Sequence, residues 1–203
     1  GNPSATLIAE EIRKKIKEKT GLNASAGISI NKFIAKVASD INKPNGQKTV
    51  HPDEVNEFLE NLDIKKFFGV GKVTVQKMYR HGIFTGKDLK NKTKEYLDQH
   101  FGKSGRFYYH VVRGEHFSEV KTSRTRKSLA AERTFSENIS SEIFMIKKLE
   151  DIANEVEKRL KKSKVAGKTV TLKIKYSDFT LQTRSKTLPY YISDKNVIIE
   201  TVK

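Results

Sequence analysis

The sequence predicts an α+β protein built from more than one domain, and three patterns support this. Residues 1–50 read as helix, strand and helix, whereas residues 51–118 carry only helical periodicity. Residues 127–203 combine a long amphipathic helix with strands that alternate apolar and polar side chains, which predicts an antiparallel sheet packed on a helix. Residues 119–126 are basic and lack an apolar period, so we interpret them as a linker.

The composition indicates a polyanionic partner. The chain of 203 residues has 40 Lys and Arg against 24 Asp and Glu, a formal net charge of +16, and nucleic acid is the first candidate. A membrane surface is the competing polyanion, but no apolar run approaches the roughly 20 residues that span a bilayer, so we expect a soluble, cytoplasmic protein with no membrane partner. The chain has no cysteine, and its five histidines lack ligand spacing, so neither disulfides nor a structural zinc site is expected.

The first unit places one strand between two helices. Asn2 or Ser4 caps the first helix, residues 24–30 form the strand, and the turn at residues 43–46 ends the second helix. The apolar residues at helical spacing are Leu7, Ile8, Ile12 and Ile16, followed by Phe33, Ile34, Val37 and Ile41. Because a lone strand leaves its backbone groups unpaired, we expect the rest of its sheet to lie upstream of this sequence.

The turn at residues 43–46 presents a lysine in a rigid setting. Pro44 disfavours helical dihedral angles at Lys43, and Gly46 allows other groups to approach closely. A lysine held in this way suits phosphate oxygens, although a turn of this composition is also compatible with an ordinary solvated charge.

The second unit contains a glycine turn between two helices. Gly69 and Gly71 flank Val70, and Lys72 and Val73 open the next helix. Because the two glycines have no side chains, the backbone N–H groups of that helix can reach a DNA phosphate. We therefore expect Gly69, Gly71, Lys72 and Val73 to bind DNA. Helical hairpins also occur as packing or protein-interaction elements. Downstream apolar and aromatic residues are expected in the core rather than stacked on bases: Leu97, Phe101, Phe107, Tyr108, Val111 and Val112.

The linker and the third unit add further basic residues. Arg124 and Arg126 could follow phosphates between two bound modules, or the linker could be a solvated connection without a role. Residues 127–139 are a strand candidate, and Ser140 or Ser141 caps the long helix. In the strands that follow, the polar face could bind DNA or simply be exposed to solvent.

The ordered strings ASAGIS, NKFIAK, ASD and KPNGQ within residues 24–47 closely resemble the palm of Y-family DNA polymerases of the DinB, or DNA polymerase IV, type. The glycine turn resembles the helix-hairpin-helix thumb of that family, and the third unit resembles its little-finger domain. The resemblance implies a partial palm (1–50), a thumb (51–118) and a little finger (127–203) that is incomplete at its C-terminal end. It also implies that Lys43 contacts the triphosphate of an incoming nucleotide, and that phosphates of primer-template DNA are contacted by Arg133, Thr183, Arg184 and Lys186.

The family's catalytic carboxylates have no counterpart here. In the family they precede the palm segment and hold Mg²⁺, whereas the nearby acids Glu10, Glu11 and Asp40 read as ordinary surface charges. We therefore expect no catalytic or metal-binding residue and no catalysis by this chain alone. It is then either the DNA-binding part of an error-prone translesion polymerase or a stand-alone helix-hairpin-helix module without chemistry. A sliding clamp is a possible partner of the intact enzyme, but no clamp-binding tail is present.

Overall fold

The computed structural model describes residues 4–203, which form two compact units. The first unit ends at Lys121 and the second extends from Thr122 to Lys203. The mixed α+β class is confirmed, with helices throughout both units and an antiparallel pair of strands in the second. Each unit has its own hydrophobic core.

The first unit opens with a βαβ arrangement preceded by a helix. Its elements are α1 (Ala5–Thr20), β1 (Ala26–Ile28), α2 (Lys32–Ile41) and β2 (Gln47–Thr49). β1 and β2 pair in parallel, with Ala26 opposite Gln47. The expectation of an unpaired strand is therefore wrong, because the chain returns after the turn to form a second strand. The polar Gln-Lys-Thr sequence of β2 is too short to show any hydrophobic period.

α1 lies on this pair of strands through a face that carries both polar and apolar residues. Thr6, Ala9, Arg13 and Ile16 are half-buried, whereas Leu7 and Ile12 are 62% and 53% exposed. Ser4 occupies the N-cap position but its side chain does not cap the helix, and Asn2 lies outside the described residues. The predicted helix is thus confirmed, but three of the four apolar residues of its pattern, Leu7, Ile8 and Ile12, face outward.

The remainder of the first unit is helical, as expected. Two 3₁₀ turns (Pro52–Glu54 and Ile64–Lys66) accompany four helices: α3 (Val55–Glu60), α4 (Lys72–Arg80), α5 (Gly86–Lys90) and α6 (Lys94–Val111). α6 is kinked at Gly102, where φ is 57° and ψ is −139°.

The core of the first unit joins the βαβ arrangement to the helices that follow it. Ile34 on α2, Leu59 on α3, Met78 on α4 and Leu97 on α6 are fully buried in one cluster. Tyr108 is 3% exposed, which confirms the expectation that it belongs to the core rather than to a base-stacking surface. Phe107 is 36% exposed, and its ring packs edge-on against that of Phe33, with the two ring centroids 5.9 Å apart.

The second unit packs two helices against a β-hairpin. Its elements are α7 (Glu142–Ser163), β3 (Gly167–Lys175), β4 (Leu181–Ile192) and α8 (Lys195–Val202). Ser141 caps α7 by accepting a hydrogen bond from the Phe144 N–H. The last segment forms an eight-residue helix, α8, where only a helix start was expected. The small core of the second unit contains Ala153, Leu160, Ile192 and Ile198.

Residues 127–139 do not form the strand that the sequence predicted. Side chains rather than a backbone ladder hold this segment, since Arg159 donates to the Ala130 carbonyl at 2.8 Å and Lys173 donates to Glu132 at 2.6 Å. Leu129 packs against the core of the second unit, but the charged and polar residues within 132–138 do not alternate with apolar residues as a half-buried strand would.

Candidate nucleic-acid interface

The N-terminus of α4 begins at a glycine turn, and no described side chain caps it. Gly71 is its N-cap residue, with φ of −80° and ψ of 167°. The Gly71 carbonyl accepts from the Val75 N–H at 2.9 Å, which begins the helical ladder. The N–H groups of the first turn have no partner within the helix, and the positive end of the helix dipole is directed at the same point. An anion is therefore favoured at this position.

The two glycines of the turn serve different purposes. Gly69 has φ of 89°, which favours glycine over residues with a side chain. Gly71 has an ordinary φ, and a Cβ built on it meets no described atom within 4 Å. At Gly86 and Gly105, by contrast, a Cβ would lie 1.8 Å from a backbone carbonyl oxygen. Packing thus explains the latter two glycines, whereas no close contact with a described atom requires the missing side chain at Gly71, where the N-cap position favours glycine by about 1 kcal/mol.

A well-packed base supports the turn. The Tyr108 hydroxyl donates to the Gly69 carbonyl at 3.1 Å, and burial raises the pKa of that hydroxyl. Ile64 before the turn and Met78 after it are fully buried. The backbone that would meet an anion is consequently fixed before binding, which reduces the entropic cost of association.

Basic and apolar side chains surround the turn. Lys72 is exposed at the first position of α4, and Val73 at the second is 85% exposed. Lys65 lies 2.8 Å from Asp63, and Lys77 donates to the His100 carbonyl. The structure therefore brings together the four residues that the sequence singled out around the turn, Gly69, Gly71, Lys72 and Val73.

Lys43 lies at the end of α2, next to an acidic partner. Its Nζ is 2.5 Å from one carboxylate oxygen of Asp40, and Lys36 Nζ is 2.5 Å from the other. Hydrogen bonds from Lys36, and then from Lys43, hold the pKa of Asp40 below its usual range. The sequence suggested that Asp40 is an ordinary surface charge, but it forms one ion pair with Lys36 and another with Lys43.

The strand register separates the predicted contacts of the second unit. Thr183 lies opposite Lys173, on a face where paired hydroxyl groups follow the strands. Arg184 lies opposite Leu172 and Lys186 opposite Val170, on the other face of the hairpin. The hydroxyl pairs are Thr169 with Thr187, 2.9 Å apart, and Thr171 with Ser185, 2.8 Å apart. The sequence alternation could have revealed these four residues, which were not singled out.

The remaining arginines that were predicted to bind DNA, Arg124, Arg126 and Arg133, are exposed. Arg133 donates to the neighbouring Glu132 carbonyl at 3.2 Å, and Arg126 donates to Ser163 at 3.3 Å. Arg124 is exposed in the segment before α7. A hydrogen bond and charge interaction with Lys173 lower the pKa of Glu132, so Lys173 is partly neutralised within the unit.

Family models match three parts of the sequence. The impB/mucB/samB family matches residues 2–40, the IMS family HHH motif matches residues 52–83, and the impB/mucB/samB family C-terminal domain matches residues 126–203. The HHH motif covers the turn and α4.

Similar proteins agree with these matches. DNA polymerase IV 2 of Agrobacterium fabrum is 50% identical over 200 residues, which cover 98% of this chain and 56% of that protein. DNA polymerase IV of Leptospira interrogans serovar copenhageni is 51% identical over 195 residues, which cover 95% and 54%. The chain belongs to the Y-family DNA polymerases of the DNA polymerase IV type. A solved Y-family DNA polymerase chimera superimposes with a TM-score of 0.79 at 25% identity, over 97% of this chain and 57% of that one.

The chain spans about half the length of the curated relatives it matches. Y-family polymerases generally use a divalent metal. Among residues 4–203, no group of three or more Asp, Glu, His or Cys side chains is arranged to hold one, so these residues do not fit the family's metal site. The described helices also include none that is long and apolar enough to cross a membrane.

Proposed function

We propose that this chain is the DNA-holding part of an error-prone translesion DNA polymerase. Under this proposal, residues 1–50 are a partial palm, 51–118 a helix-hairpin-helix thumb, 119–126 a linker and 127–203 a little finger. The observation that carries the proposal is the open N-terminus of α4, where Gly71 lacks a side chain for no reason of internal packing.

The α4 N-terminus binds the sugar-phosphate backbone of the primer-template duplex. Backbone N–H groups of Lys72 and Val73 donate to one phosphate, and the Lys72 ammonium adds charge beside it. Such contacts carry no information about base sequence, which suits a polymerase that must move along any duplex.

The second unit contributes the hydroxyl face of its hairpin. Thr183 lies on this face with Lys173, and hydroxyl groups can donate to phosphate oxygens over several nucleotides. Arg184 and Lys186 lie on the opposite face and contact phosphates only through their long side chains. Arg124, Arg126 and Arg133 add positive charge along the path of the duplex.

Lys43 contacts the triphosphate of an incoming nucleotide in the intact enzyme. Asp40 holds the ammonium in the absence of nucleotide, and phosphate oxygens replace this carboxylate as its partner. The carboxylates that hold Mg²⁺ belong to a part of the relatives' length that this chain does not span. The chain by itself therefore binds DNA without catalysis. It acts in the cytoplasm, and the residues of this chain include no clamp-binding motif.

A hydroxyl-radical footprint of a labelled primer-template tests this function. We expect protection of the duplex backbone by the wild-type chain, with the same pattern on unrelated sequences. Protection that follows base sequence, or no protection at low salt, would contradict the proposal. In the intact enzyme, Lys43→Ala should alter the footprint only when a nucleotide is present.

A further inference from the structure

Arg13 connects three elements around the turn that carries Lys43. Its Nε donates to the Ala24 carbonyl, before β1, at 2.9 Å. Its Nη2 donates to the Asn45 carbonyl and lies 3.4 Å from the Asn45 side-chain oxygen. One guanidinium on α1 thus binds both the start of the first strand and the turn between α2 and β2.

The turn has a conformation that benefits from such support. Asn45 has φ of 53°, in the left-handed region that asparagine adopts more readily than most other residues with a side chain, and the backbone there is less favourable than in the right-handed regions. The Gly46 N–H donates to Ser25 at 3.3 Å, and the Gly46 carbonyl accepts from the Ala26 N–H at 3.1 Å. Those bonds hold the turn from the strand side, whereas Arg13 holds it from the helix side.

The seating of α1 shows that these polar contacts fix its position. Thr6 lies 2.9 Å from Thr49 on β2, and the Thr6 carbonyl accepts from Gln47 at 2.9 Å. Thr6 and Arg13 are seven residues apart and share one face of the helix. Leu7 and Ile12 face outward, and the half-buried Ala9 and Ile16 lie on the same face as Thr6 and Arg13, whose directional hydrogen bonds set the register of α1 on the turn.

We infer that Arg13 is a positioning residue for Lys43, which sets the backbone of the turn so that the lysine can meet a chain of phosphates. The inference rests on the proposed role of Lys43. Arginine suits this role because Nε and Nη2 donate in two directions at once, whereas a lysine offers a single ammonium. The charge of residue 13 is therefore insufficient without the planar, two-point geometry.

The test uses the ¹⁵N-labelled chain, with inorganic tripolyphosphate as the probe. Amide shifts of Lys43, Asn45 and Gly46 report binding at the turn. We expect Arg13→Lys and Arg13→Gln each to lower the affinity for tripolyphosphate about tenfold. This corresponds to the loss of one charge-assisted hydrogen bond. Lys14→Gln removes one charge from the exposed side of the same helix and should change the affinity less than about twofold.

The outcomes separate the two claims. Wild-type affinity in Arg13→Lys would overturn the positioning role, because it would show that charge alone is enough. A wild-type chain whose turn amides do not respond to tripolyphosphate would also overturn the inference, because the turn would then have no phosphate site for Arg13 to position, whereas the role of Lys43 in the intact enzyme is tested separately by the nucleotide-dependent footprint. Duplex DNA affinity should be unchanged in Arg13→Lys, and a parallel loss there would mean that the variant disturbs the fold rather than the turn.

Discussion

Replacing Gly71 by valine should remove a DNA contact while leaving the fold intact. The backbone at Gly71 has φ of −80° and ψ of 167°, which valine adopts readily, and a Cβ there meets no described atom within 4 Å. Loss of glycine at an N-cap position costs about 1 kcal/mol of stability. A branched side chain at this point would hold a phosphate away from the first N–H groups of α4. Each charge-assisted hydrogen bond that is lost is worth about 1.5–3 kcal/mol, so duplex affinity should fall roughly 10- to 100-fold.

Fluorescence anisotropy with a labelled duplex measures this change, and circular dichroism confirms that the variant is folded. Ala5→Val is the matched control, since Ala5 is exposed at the start of α1, another helix N-terminus, and lies outside the proposed DNA interface. The control should bind DNA as the wild type does. A folded Gly71→Val chain with wild-type affinity would remove the α4 N-terminus from the interface.

Three further predictions concern stability, pH and chemistry. Gly86→Ala places a Cβ 1.8 Å from the Leu59 carbonyl oxygen, so the free energy of unfolding should fall by about 1–3 kcal/mol or more in urea, and an unchanged value would refute the packing at α5. Burial, then the nearby charges of His100 and two lysines, lowers the pKa of His81 in the folded chain, so the unfolded chain takes up the proton first as pH falls. Stability should therefore decrease below about pH 6.5 and do so less in His81→Gln; equal pH dependence in both would contradict this. Under the proposed function, primer extension with Mg²⁺ should be absent, since no three Asp, Glu, His or Cys side chains among residues 4–203 are arranged to hold a metal ion, and extension by a rigorously purified sample would refute that reasoning.

The hairpin at α4 could be predicted from the sequence because its signals are local. Two glycines interrupt an otherwise helical pattern, and the residues around Gly69 and Gly71 lie where the pattern placed them. The long amphipathic helix α7 and a serine cap at Ser140 or Ser141 could be predicted for the same reason, and the structure places the cap at Ser141. Local periodicity and capping chemistry depend little on distant parts of the chain.

Features that depend on tertiary pairing could not be predicted. β2 has three polar residues, so only its pairing with β1 identifies it as a strand. Thr183 and Arg184 lie on opposite faces because neighbouring residues of a strand alternate, which the sequence could have shown, whereas their cross-strand partners Lys173 and Leu172 require the hairpin register. The outward face of α1 likewise follows from hydrogen bonds of Arg13 and Thr6, which a hydrophobic pattern cannot show.

The salt dependence of duplex binding tests most directly whether this chain holds DNA through its phosphate backbone. Affinity should fall linearly on logarithmic axes, with a slope of about −0.9 for each phosphate neutralised and equal slopes for unrelated sequences. An affinity that hardly changes with salt, or a slope that differs between sequences, would contradict phosphate-dominated binding.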